Sequence, residues 1–265
     1  MITASLVIYN SPEEDLRTVI SCVTRSTVRT IYVVDNASHD NLKNLIYNLS
    51  EKVVYIQGQG NIGYGAAHNI GIREAIRQGA TYHLVVNPDI EFQEGVIEQL
   101  ASYMDTNPDV GQMIPKIIYP NGKLQYAYNL IPTPLDIVFR RFAPAKMNNK
   151  FQLKFTGHHK IMNVPYHHGC FMFFSVAALK EIGLFDERFF MYPEDIDITR
   201  RMHEKYATLY YPYATVIHTH AAESRKSLRI LSIHIVNLIR YFNKWGWFFD
   251  GKRRITNKKV LKELQ

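Results

Sequence analysis

The fold class of this chain can be read most directly from the segment Thr81-Tyr82-His83-Leu84-Val85-Val86-Asn87-Pro88-Asp89. Its first six residues are largely apolar and have the length of a buried strand, and turn-forming residues with one carboxylate follow at once. Similar runs occur earlier in the chain, at Ala4–Tyr9, Thr30–Asp35 and Lys52–Gln57. Helical patterns separate these runs. Strands that alternate with helices predict right-handed βαβ crossovers, and therefore an α/β fold with a mostly parallel central sheet flanked by helices.

The second half of the chain is less regular. Predicted helices there are Gln93–Asn107 and Asp195–Tyr206, and predicted strands are Val110–Tyr119, Lys160–Tyr166, Cys170–Phe174, Thr208–Tyr211 and Ala214–Ile217. Between them, Asn129–Thr156 is rich in proline, asparagine and basic residues. We interpret it as an insertion that covers a cleft or contacts a second substrate, because long loops of compact domains are usually functional.

Polar residues follow the predicted parallel strands where each strand ends. Tyr9, Asp35 and Asp89 occupy such positions, and a glycine-rich loop follows the third strand. The carboxyl ends of parallel strands share one edge of the sheet, where ligands bind in open α/β folds. Asn-Pro-Asp alone would be an ordinary turn. Beside Asp35 it indicates one ligand-binding crevice.

The glycine loop permits two interpretations. Gly58–Gly63 fits the dinucleotide-binding pattern G-x-G-x-x-G, but it belongs to the third βα unit, and His83 stands where a ribose-binding acid is expected. The favoured interpretation is a tight loop that brings backbone N–H groups near a ligand. A NAD-dependent oxidoreductase remains the weaker hypothesis.

A second segment, Gly183–Asp197, combines acidic and aromatic residues in an unusual way. Its five carboxylates are Asp186, Glu187, Glu194, Asp195 and Asp197, and they lie among Phe185, Phe189, Phe190, Met191 and Tyr192. Carboxylates beside a water-excluding wall have raised pKa values and are typical of active sites. Pro193-Glu194-Asp195 also has the pattern of a helix start. The segment alone leaves both interpretations open.

The overall composition restricts the class of protein. The chain has 46% hydrophobic residues and two cysteines, which predicts a globular protein of a reducing compartment and a cytoplasmic location. The first residues lack the basic region of a secretory signal, so none is expected. The net charge of +7 favours anionic partners, although no nucleic-acid-binding module is recognisable.

The C-terminal region raises a separate question. Ser224–Lys244 is predicted to be one long helix with an apolar seam at Leu228, Leu231, Ile235, Leu238 and Phe242. Aromatic residues and a basic tail follow, namely Trp245, Trp247, Phe248, Phe249, Lys252, Arg253, Arg254, Lys258, Lys259 and Lys262. Two hypotheses stay open: peripheral contact with a membrane surface, or packing against the core or in a homodimer.

Taken in order, these motifs resemble those of a known family. The matching segments are Val33–Ser38, Asn61-Ile62-Gly63, Asn69-Ile70-Gly71, Asn87-Pro88-Asp89, Phe185–Phe190, Glu194–Asp197 and Val216-Ile217-His218. The set resembles family 2 glycosyltransferases of the GT-A (Rossmann-like) fold, particularly their bacterial rhamnosyltransferase-like branch. The resemblance implies a GT-A domain over residues 1–223, with a nucleotide-binding part to about 110 and an acceptor part over 111–223. Residues 224–265 would form the C-terminal helix and tail.

The resemblance also implies roles for particular residues. Tyr9 and Asp35 would line the nucleobase pocket, and Asn61, Gly63, Gly65 and Asn69 would border the nucleotide and donor sugar. Asp89, with Asn87, matches the D-x-D motif, and His218 matches a late histidine that completes the shell of Mn²⁺ or Mg²⁺. Asp195 matches the catalytic base, with Glu194 and Asp197 tuning or positioning it, whereas Asp186 and Glu187 would be loop structure. Asn87 replaces the first acid of the motif, so weak metal affinity without nucleotide is expected.

The implied activity is inverting transfer of a sugar from a nucleotide diphosphate donor. Within the rhamnosyltransferase-like branch this means L-rhamnose from dTDP-rhamnose, an oligosaccharide or polyprenyl-linked acceptor, and bacterial surface polysaccharide synthesis at the inner face of the cytoplasmic membrane. The alternative is a non-catalytic nucleotide-sugar or glycan-binding subunit, which Asn87 motivates.

Overall fold

The structure, a computed structural model, describes residues 1–39, 42–137, 149–219 and 228–265. The predicted sheet is present. Its strands are β1 (Ile2–Ile8), β2 (Val28–Asp35), β3 (Val53–Ile56), β4 (Tyr82–Val86), β5 (Ile90–Phe92), β6 (Val110–Ile118), β8 (Met162–Asn163), β10 (Phe171–Ser175) and β11 (Ala207–His218), while β7 (Tyr128–Asn129) and β9 (Tyr166–His167) form a separate pair.

The strand order explains where a ligand can bind. The main sheet runs β3-β2-β1-β4-β10-β6-β11-β5, and β8 pairs with β11 outside this path. β3, β2, β1 and β4 are mutually parallel, β10 is inserted antiparallel between β4 and β6, and β11 runs parallel to β6. The prediction of a mostly parallel sheet is therefore confirmed. Polar residues at the carboxyl ends of β1, β2 and β4 lie along one edge of the sheet. The carboxyl end of β11, with His218, lies at the same edge.

Helices cover the sheet. They are α1 (Glu13–Thr24), α2 (Lys43–Tyr47), α3 (Tyr64–Arg77), α4 (Val96–Thr106), α5 (Val176–Ile182), α6 (Glu194–His203), α7 (Leu228–Trp245) and α8 (Gly251–Leu264). The side chain of Ser175 accepts a hydrogen bond from the backbone N–H of Ala178 and so caps α5. The first turn of α6 contains the acidic residues Glu194, Asp195 and Asp197. Negative charge there interacts favourably with the positive end of the helix dipole.

Several predicted elements need correction. The chain forms the short strand β5 before α4, and Thr208–Tyr211 and Ala214–Ile217 belong to one strand, β11, with an irregularity between them. The basic tail is the helix α8, because Arg253 and Val260 pack inward and Asp250 caps its start. The predicted start of the C-terminal helix at Ser224 lies outside the described residues.

The predicted seam of α7 is only partly correct. Phe242 is buried and Leu238 packs against the core as predicted, whereas Ile235 is 49% exposed, and Asn237 and Tyr241, which lie outside the seam, are buried. Asn237 donates a hydrogen bond to the carbonyl oxygen of Met191 from this buried face. Within the part of the chain that the structure describes, no helix has the length and apolar character that crossing a bilayer requires.

Candidate active site

Asp35 lies at the carboxyl end of β2 and is almost fully buried. One carboxylate oxygen accepts from the backbone N–H of Ser38 at 2.8 Å, and the other accepts from the hydroxyl of Tyr55. Burial and the neighbouring Asp35 carboxylate raise the pKa of Tyr55, so its hydroxyl remains a donor. Tyr9, at the end of the adjacent strand β1, is half exposed. An acid fixed beside an exposed ring provides an acceptor and a stacking surface for a base.

The glycine loop fits tightly against the Gly183–Asp197 segment. Gly63 has a φ of 90°, and a Cβ atom there would lie 2.3 Å from the carbonyl oxygen of Phe190. The backbone N–H of Tyr64 donates to that same oxygen at 2.8 Å. A Cβ at Gly65 would lie 2.9 Å from that of Phe185 and 3.5 Å from Cγ of Glu194. These two glycines therefore let the predicted nucleotide loop touch the predicted catalytic segment.

Asn69 has a different contact from the one predicted. Its amide nitrogen donates to the carbonyl oxygen of Phe185 and to Glu187, and its amide oxygen accepts from the N–H of Phe185. The side chain of Asn69 is thus directed at this loop rather than at the crevice. Asn61 lies in the glycine loop, where its side-chain oxygen accepts from the N–H of Gly63.

The side chains of Asp89 and His218, which the family resemblance assigns to one metal ion, lie close together. A carboxylate oxygen of Asp89 lies 3.2 Å from Nε2 of His218. Nδ1 of His218 bonds to the side-chain oxygen of Gln125 at 2.8 Å, which fixes the imidazole with Nε2 toward Asp89. Burial alone would lower the pKa of His218, but interactions with Cys170 and Asp89 raise it to about 10.

Once Nε2 of His218 has lost its proton, the donor atoms of this pair fit a divalent cation. A carboxylate oxygen suits Mg²⁺ or Mn²⁺, and an imidazole nitrogen favours Mn²⁺. Among the described residues, no three His, Cys, Asp or Glu side chains form a preformed ion site. The side-chain oxygen of Asn87 accepts from the hydroxyl of Tyr64. Asp89 and His218 would therefore hold a cation only together with ligands from outside the protein, such as diphosphate oxygens.

Asp195 lies at the start of α6 and is only partly buried. One of its carboxylate oxygens accepts from the N–H of Gly169 at 3.2 Å. The hydroxyl of Tyr64 donates to the carbonyl oxygen of Gly169 at 2.6 Å and lies 3.1 Å from the side-chain oxygen of Asn87. This path connects the predicted base to the Asn-Pro-Asp motif. Three elements that are distant in sequence thus converge on one crevice.

Glu194 has the character of a perturbed active-site acid. It is buried, and one of its carboxylate oxygens has no hydrogen-bond partner among the residues that the structure describes. Burial first, and then the charge of Asp195, raise the pKa of Glu194 well above its usual value. The raised pKa expected in this segment therefore belongs to Glu194, and the helix start expected there is also present.

The remaining acids of the segment form ion pairs with arginine and lysine side chains. Asp186 pairs with Arg188 and Lys244, and these contacts hold the pKa of its carboxyl well below the usual range. Glu187 pairs with Arg73, in keeping with a loop role. Asp197 is fully buried, where Arg201, Lys244 and the indole N–H of Trp245 contact its carboxylate. Its contacts tie α6 to α7.

The residues that the sequence interpretation missed are the partners of the predicted ones: Tyr55, Tyr64, Gln125 and Gly169. Tyr64 stands between the predicted site residues Gly63 and Gly65, so its position is a usable signal. Tyr55 and Gln125 lie outside every motif, and only the fold brings them to Asp35 and His218.

Comparison with known proteins agrees with this geometry. The family model for glycosyl transferase family 2 matches residues 4–183. The low-salt glycan biosynthesis hexosyltransferase Agl10 of Haloferax volcanii is 31% identical over 202 residues, which cover 74% of this chain and 60% of that protein. An N-acetylglucosaminyl-diphospho-decaprenol L-rhamnosyltransferase of Mycobacterium tuberculosis is 25% identical over 229 residues, or 81% of this chain and 74% of that protein.

Solved structures share the fold. GalNAc-T7 with UDP, GalNAc and Mn²⁺ has a TM-score of 0.68 at 16% identity, covering 96% of this chain and 49% of that one. The mannosyltransferase PcManGT of Pyrobaculum calidifontis, in complex with GDP-Man and Mn²⁺, has a TM-score of 0.59 at 14% identity, covering 99% and 74%. At such identities the likeness shows the GT-A fold alone. With a family model that matches more than half of its length, the chain belongs to glycosyltransferase family 2.

Proposed function

We propose that this chain is an inverting glycosyltransferase that moves a sugar from a nucleoside diphosphate donor to a hydroxyl group of a glycan or lipid-linked acceptor. The observation that carries the proposal is the position of Asp195. It is a partly exposed carboxylate on a helix start, connected through Gly169 and Tyr64 to the Asn87–Asp89 motif. A family 2 member with a base and a diphosphate site facing one crevice has what direct displacement needs.

In this mechanism Asp195 takes the proton of the acceptor hydroxyl as its oxygen attacks the anomeric carbon. Attack opposite the leaving diphosphate inverts that carbon. The hydrogen bond from Gly169 orients the carboxylate of Asp195 before reaction, so little reorganisation is needed. Buried Glu194, whose raised pKa favours its neutral form, limits repulsion beside Asp195 and positions the start of α6.

Asp89 and His218 would hold Mn²⁺ or Mg²⁺ in this proposal. A bound cation neutralises the charge that develops on the leaving diphosphate. The support is the 3.2 Å pairing of an oxygen and a nitrogen donor, together with Gln125, which orients the imidazole. The donor base would stack near Tyr9 and donate to Asp35, with the loop at Asn61, Gly63 and Gly65 beside the nucleotide.

The finer identity of the substrates rests on relatives. One relative is a hexosyltransferase, and the other is a rhamnosyltransferase named for an N-acetylglucosaminyl-diphospho-decaprenol acceptor. We therefore propose L-rhamnose from dTDP-rhamnose as the donor sugar and a polyprenyl-linked or oligosaccharide acceptor. The setting would be surface polysaccharide synthesis on the cytoplasmic side of the membrane. Because the chain spans 60% of the archaeal relative's length, its own activity needs direct measurement.

A donor screen tests the proposal. Thermal unfolding is followed with dTDP-rhamnose, UDP-sugars and GDP-mannose, each with and without Mn²⁺, because a selective ligand raises the unfolding temperature. Release of nucleoside diphosphate in the presence of lipid-linked acceptors is then measured for the stabilising donor. We expect Mn²⁺-dependent stabilisation by one donor class, and turnover with it. No stabilisation and no turnover with any donor would contradict the proposal.

Asn87 supports a second candidate, a non-catalytic subunit that binds a nucleotide sugar. An amide stands in place of the first acid of the metal motif, and its oxygen accepts from Tyr64. This candidate predicts donor binding without transfer, unchanged by Asp195→Asn. The oxidoreductase hypothesis loses its support, because Gly63 lies against Phe190 and the family assignment explains the loop.

A further inference from the structure

The connection between α7 and α8 presents aromatic residues to solvent. Phe249 is 100% exposed, Phe248 is 67% exposed and Trp247 is 39% exposed. Isolated exposed aromatic residues are ordinary, but three in succession form an apolar patch of the kind that marks an interaction site. We call Trp247–Phe249 the aromatic turn.

Buried contacts fix the aromatic turn at both ends. On one side, the indole N–H of Trp245 donates to Asp197, and the guanidinium of Arg200 lies 4.0 Å from the centre of its ring. On the other side, Asp250 pairs with Arg200 at 2.7 Å and caps α8. The exposure of the phenylalanine rings is therefore built into the fold and is not the result of an unattached end.

The helix that follows carries positive charge on its outer face. Arg253 and Val260, two helical turns apart, are buried and define the inner face of α8. The opposite face consists of exposed residues, namely Arg254, Ile255, Lys258, Lys259 and Lys262. Glu263 is the one acid in this helix, and it lies 3.9 Å from Lys259. We call the four cationic residues Arg254, Lys258, Lys259 and Lys262 the basic face.

The exposed side of α7 continues the apolar part of this surface. Ile235, Val236 and Ile239 are each more than 40% exposed. They are spaced at three and four residues, so they share one side of the helix with Asn243, which accepts from the indole of Trp247. An apolar strip therefore leads along α7 to the aromatic turn.

From these features we infer that the aromatic turn and the basic face together form a docking surface for an anionic lipid bilayer. Aromatic rings favour the interfacial region of a bilayer, and lysine and arginine side chains are attracted to its anionic headgroups. The combination of exposed aromatic rings and positive charge favours an anionic bilayer over a second copy of this chain. A second copy of this chain would oppose one basic face to another, and like charges disfavour such an interface.

Docking would bring the candidate active site to the bilayer. Asn237 of α7 donates to the carbonyl oxygen of Met191, and the ring of His234 lies 4.9 Å from that of Tyr192, both just before the catalytic acids. A helix that lies on the membrane would thus present the segment that precedes Asp195 to a lipid-linked acceptor. This consequence rests on the proposed function, whereas binding to lipid does not.

Vesicle sedimentation tests the inference with the full chain. The protein is mixed with vesicles of phosphatidylcholine alone, or of equimolar phosphatidylcholine and phosphatidylglycerol. We expect it to pellet with the anionic vesicles and to be released in about 0.5 M salt, because screening weakens the attraction. Lys258→Gln with Lys262→Gln should weaken partitioning by about 30-fold. Phe248→Ser with Phe249→Ser should weaken it by at least about tenfold.

Matched variants of exposed residues elsewhere provide the control. Lys123→Gln with Lys180→Gln removes the same charge from another part of the surface, and Tyr213→Ser removes another exposed ring. These should bind like the original chain. Absence of binding to anionic vesicles, or equal loss in the control variants, would overturn the inference. The oligomeric state is measured separately, by analytical ultracentrifugation without vesicles. A dimer that is lost in the variant with Phe248→Ser and Phe249→Ser would assign the surface to a second copy of the chain instead. The vesicle assay measures binding to lipid and not enzymatic activity. A failure of the donor screen would therefore leave its result unaffected.

Discussion

At the scale of single residues, the orientation of each candidate site residue depends on hydrogen bonds from neighbouring groups. Asp35 is fixed by the hydroxyl of Tyr55 and the N–H of Ser38, and His218 is fixed by Gln125. An acid with both oxygens engaged keeps one orientation, with lone pairs left for a ligand. Preorganisation of this kind lowers the cost of binding.

Tyr55→Phe tests this support at the base pocket. Loss of a hydrogen bond to a charged acceptor costs about 1.5–3 kcal/mol, and here part of that cost falls on donor binding. We expect the Kd for the donor nucleotide, measured by calorimetry, to rise by about tenfold, with kcat almost unchanged.

The matched control is Tyr47→Phe, since Tyr47 is exposed and touches the ring of Tyr55 only by its edge. An unaltered Kd in Tyr55→Phe would mean that Asp35 does not need this support. A fall in kcat alone would place Tyr55 in the chemical step instead.

The site residues show how far residue-level prediction reaches. Pattern and motif place Asp35, Asp89, Asp195 and His218 at the ends of elements. The structure connects Asp195 with Asn87 through Gly169 and Tyr64, and it pairs Asp89 with His218. Asn69 was expected at the donor but holds the loop at Phe185. A motif indicates which residues share a region, while the direction of each side chain depends on packing that the sequence does not display.

At the scale of elements, the contact between the glycine loop and the Gly183–Asp197 segment sets the shape of the crevice. Gly63→Ala should displace that segment, because the new Cβ would stand 2.3 Å from the carbonyl oxygen of Phe190 at a φ of 90°. Misplacement by about 1 Å can cost about 100-fold in rate. We expect a loss of that size in transfer rate, with circular dichroism showing a retained fold.

Gly60→Ala is the control for backbone strain. Its φ is 71°, yet no atom of the described part of the chain lies within 4 Å of the added Cβ. It should cost about 1 kcal/mol of stability and leave transfer intact. Equal losses of activity in both variants would mean that the contact with Phe190 is unimportant.

Elements were easier to predict where their pattern is local. The first strands and helices follow from alternation of apolar runs, and Ser175 caps α5 as its sequence suggests. β5 has only three residues, too few to show a period. The sequence interpretation gives the tail no secondary structure of its own, whereas the structure forms α8 there, with Arg253 and Val260 buried in contacts that only the complete fold supplies.

At the scale of the whole molecule, a buried ion pair joins the start of α8 to α6, the helix that begins with Glu194 and Asp195. Arg200 of α6 and Asp250 at the start of α8 are each about 3% exposed or less and lie 2.7 Å apart. Asp250→Asn keeps an oxygen to cap α8 but removes the charge. We expect it to lower the free energy of unfolding by about 3–5 kcal/mol at neutral pH, because Arg200 loses its charged partner. Asp109→Asn, at an exposed position, is the control.

The same pair makes part of the stability depend on pH. Burial alone would raise the pKa of Asp250, but the hydrogen bonds from Arg200 and Arg253 lower it below its usual value. A lowered folded-state pKa contributes stability above the unfolded value of about 3.9, and this is lost as the pH falls through the folded one. Urea unfolding between about pH 6 and pH 3 should therefore show a steeper decline for the original chain than for Asp250→Asn. Parallel declines would show that the pair does not contribute.

The central claim, that Asp195 is the base of a sugar transfer, is tested most directly by Asp195→Asn. The amide keeps the size and the contact with Gly169 but cannot take a proton. With the donor that stabilises the protein, we predict that transfer falls by at least about 100-fold. The donor Kd and the unfolding temperature should remain near those of the original chain. Transfer by Asp195→Asn at the original rate would contradict the account.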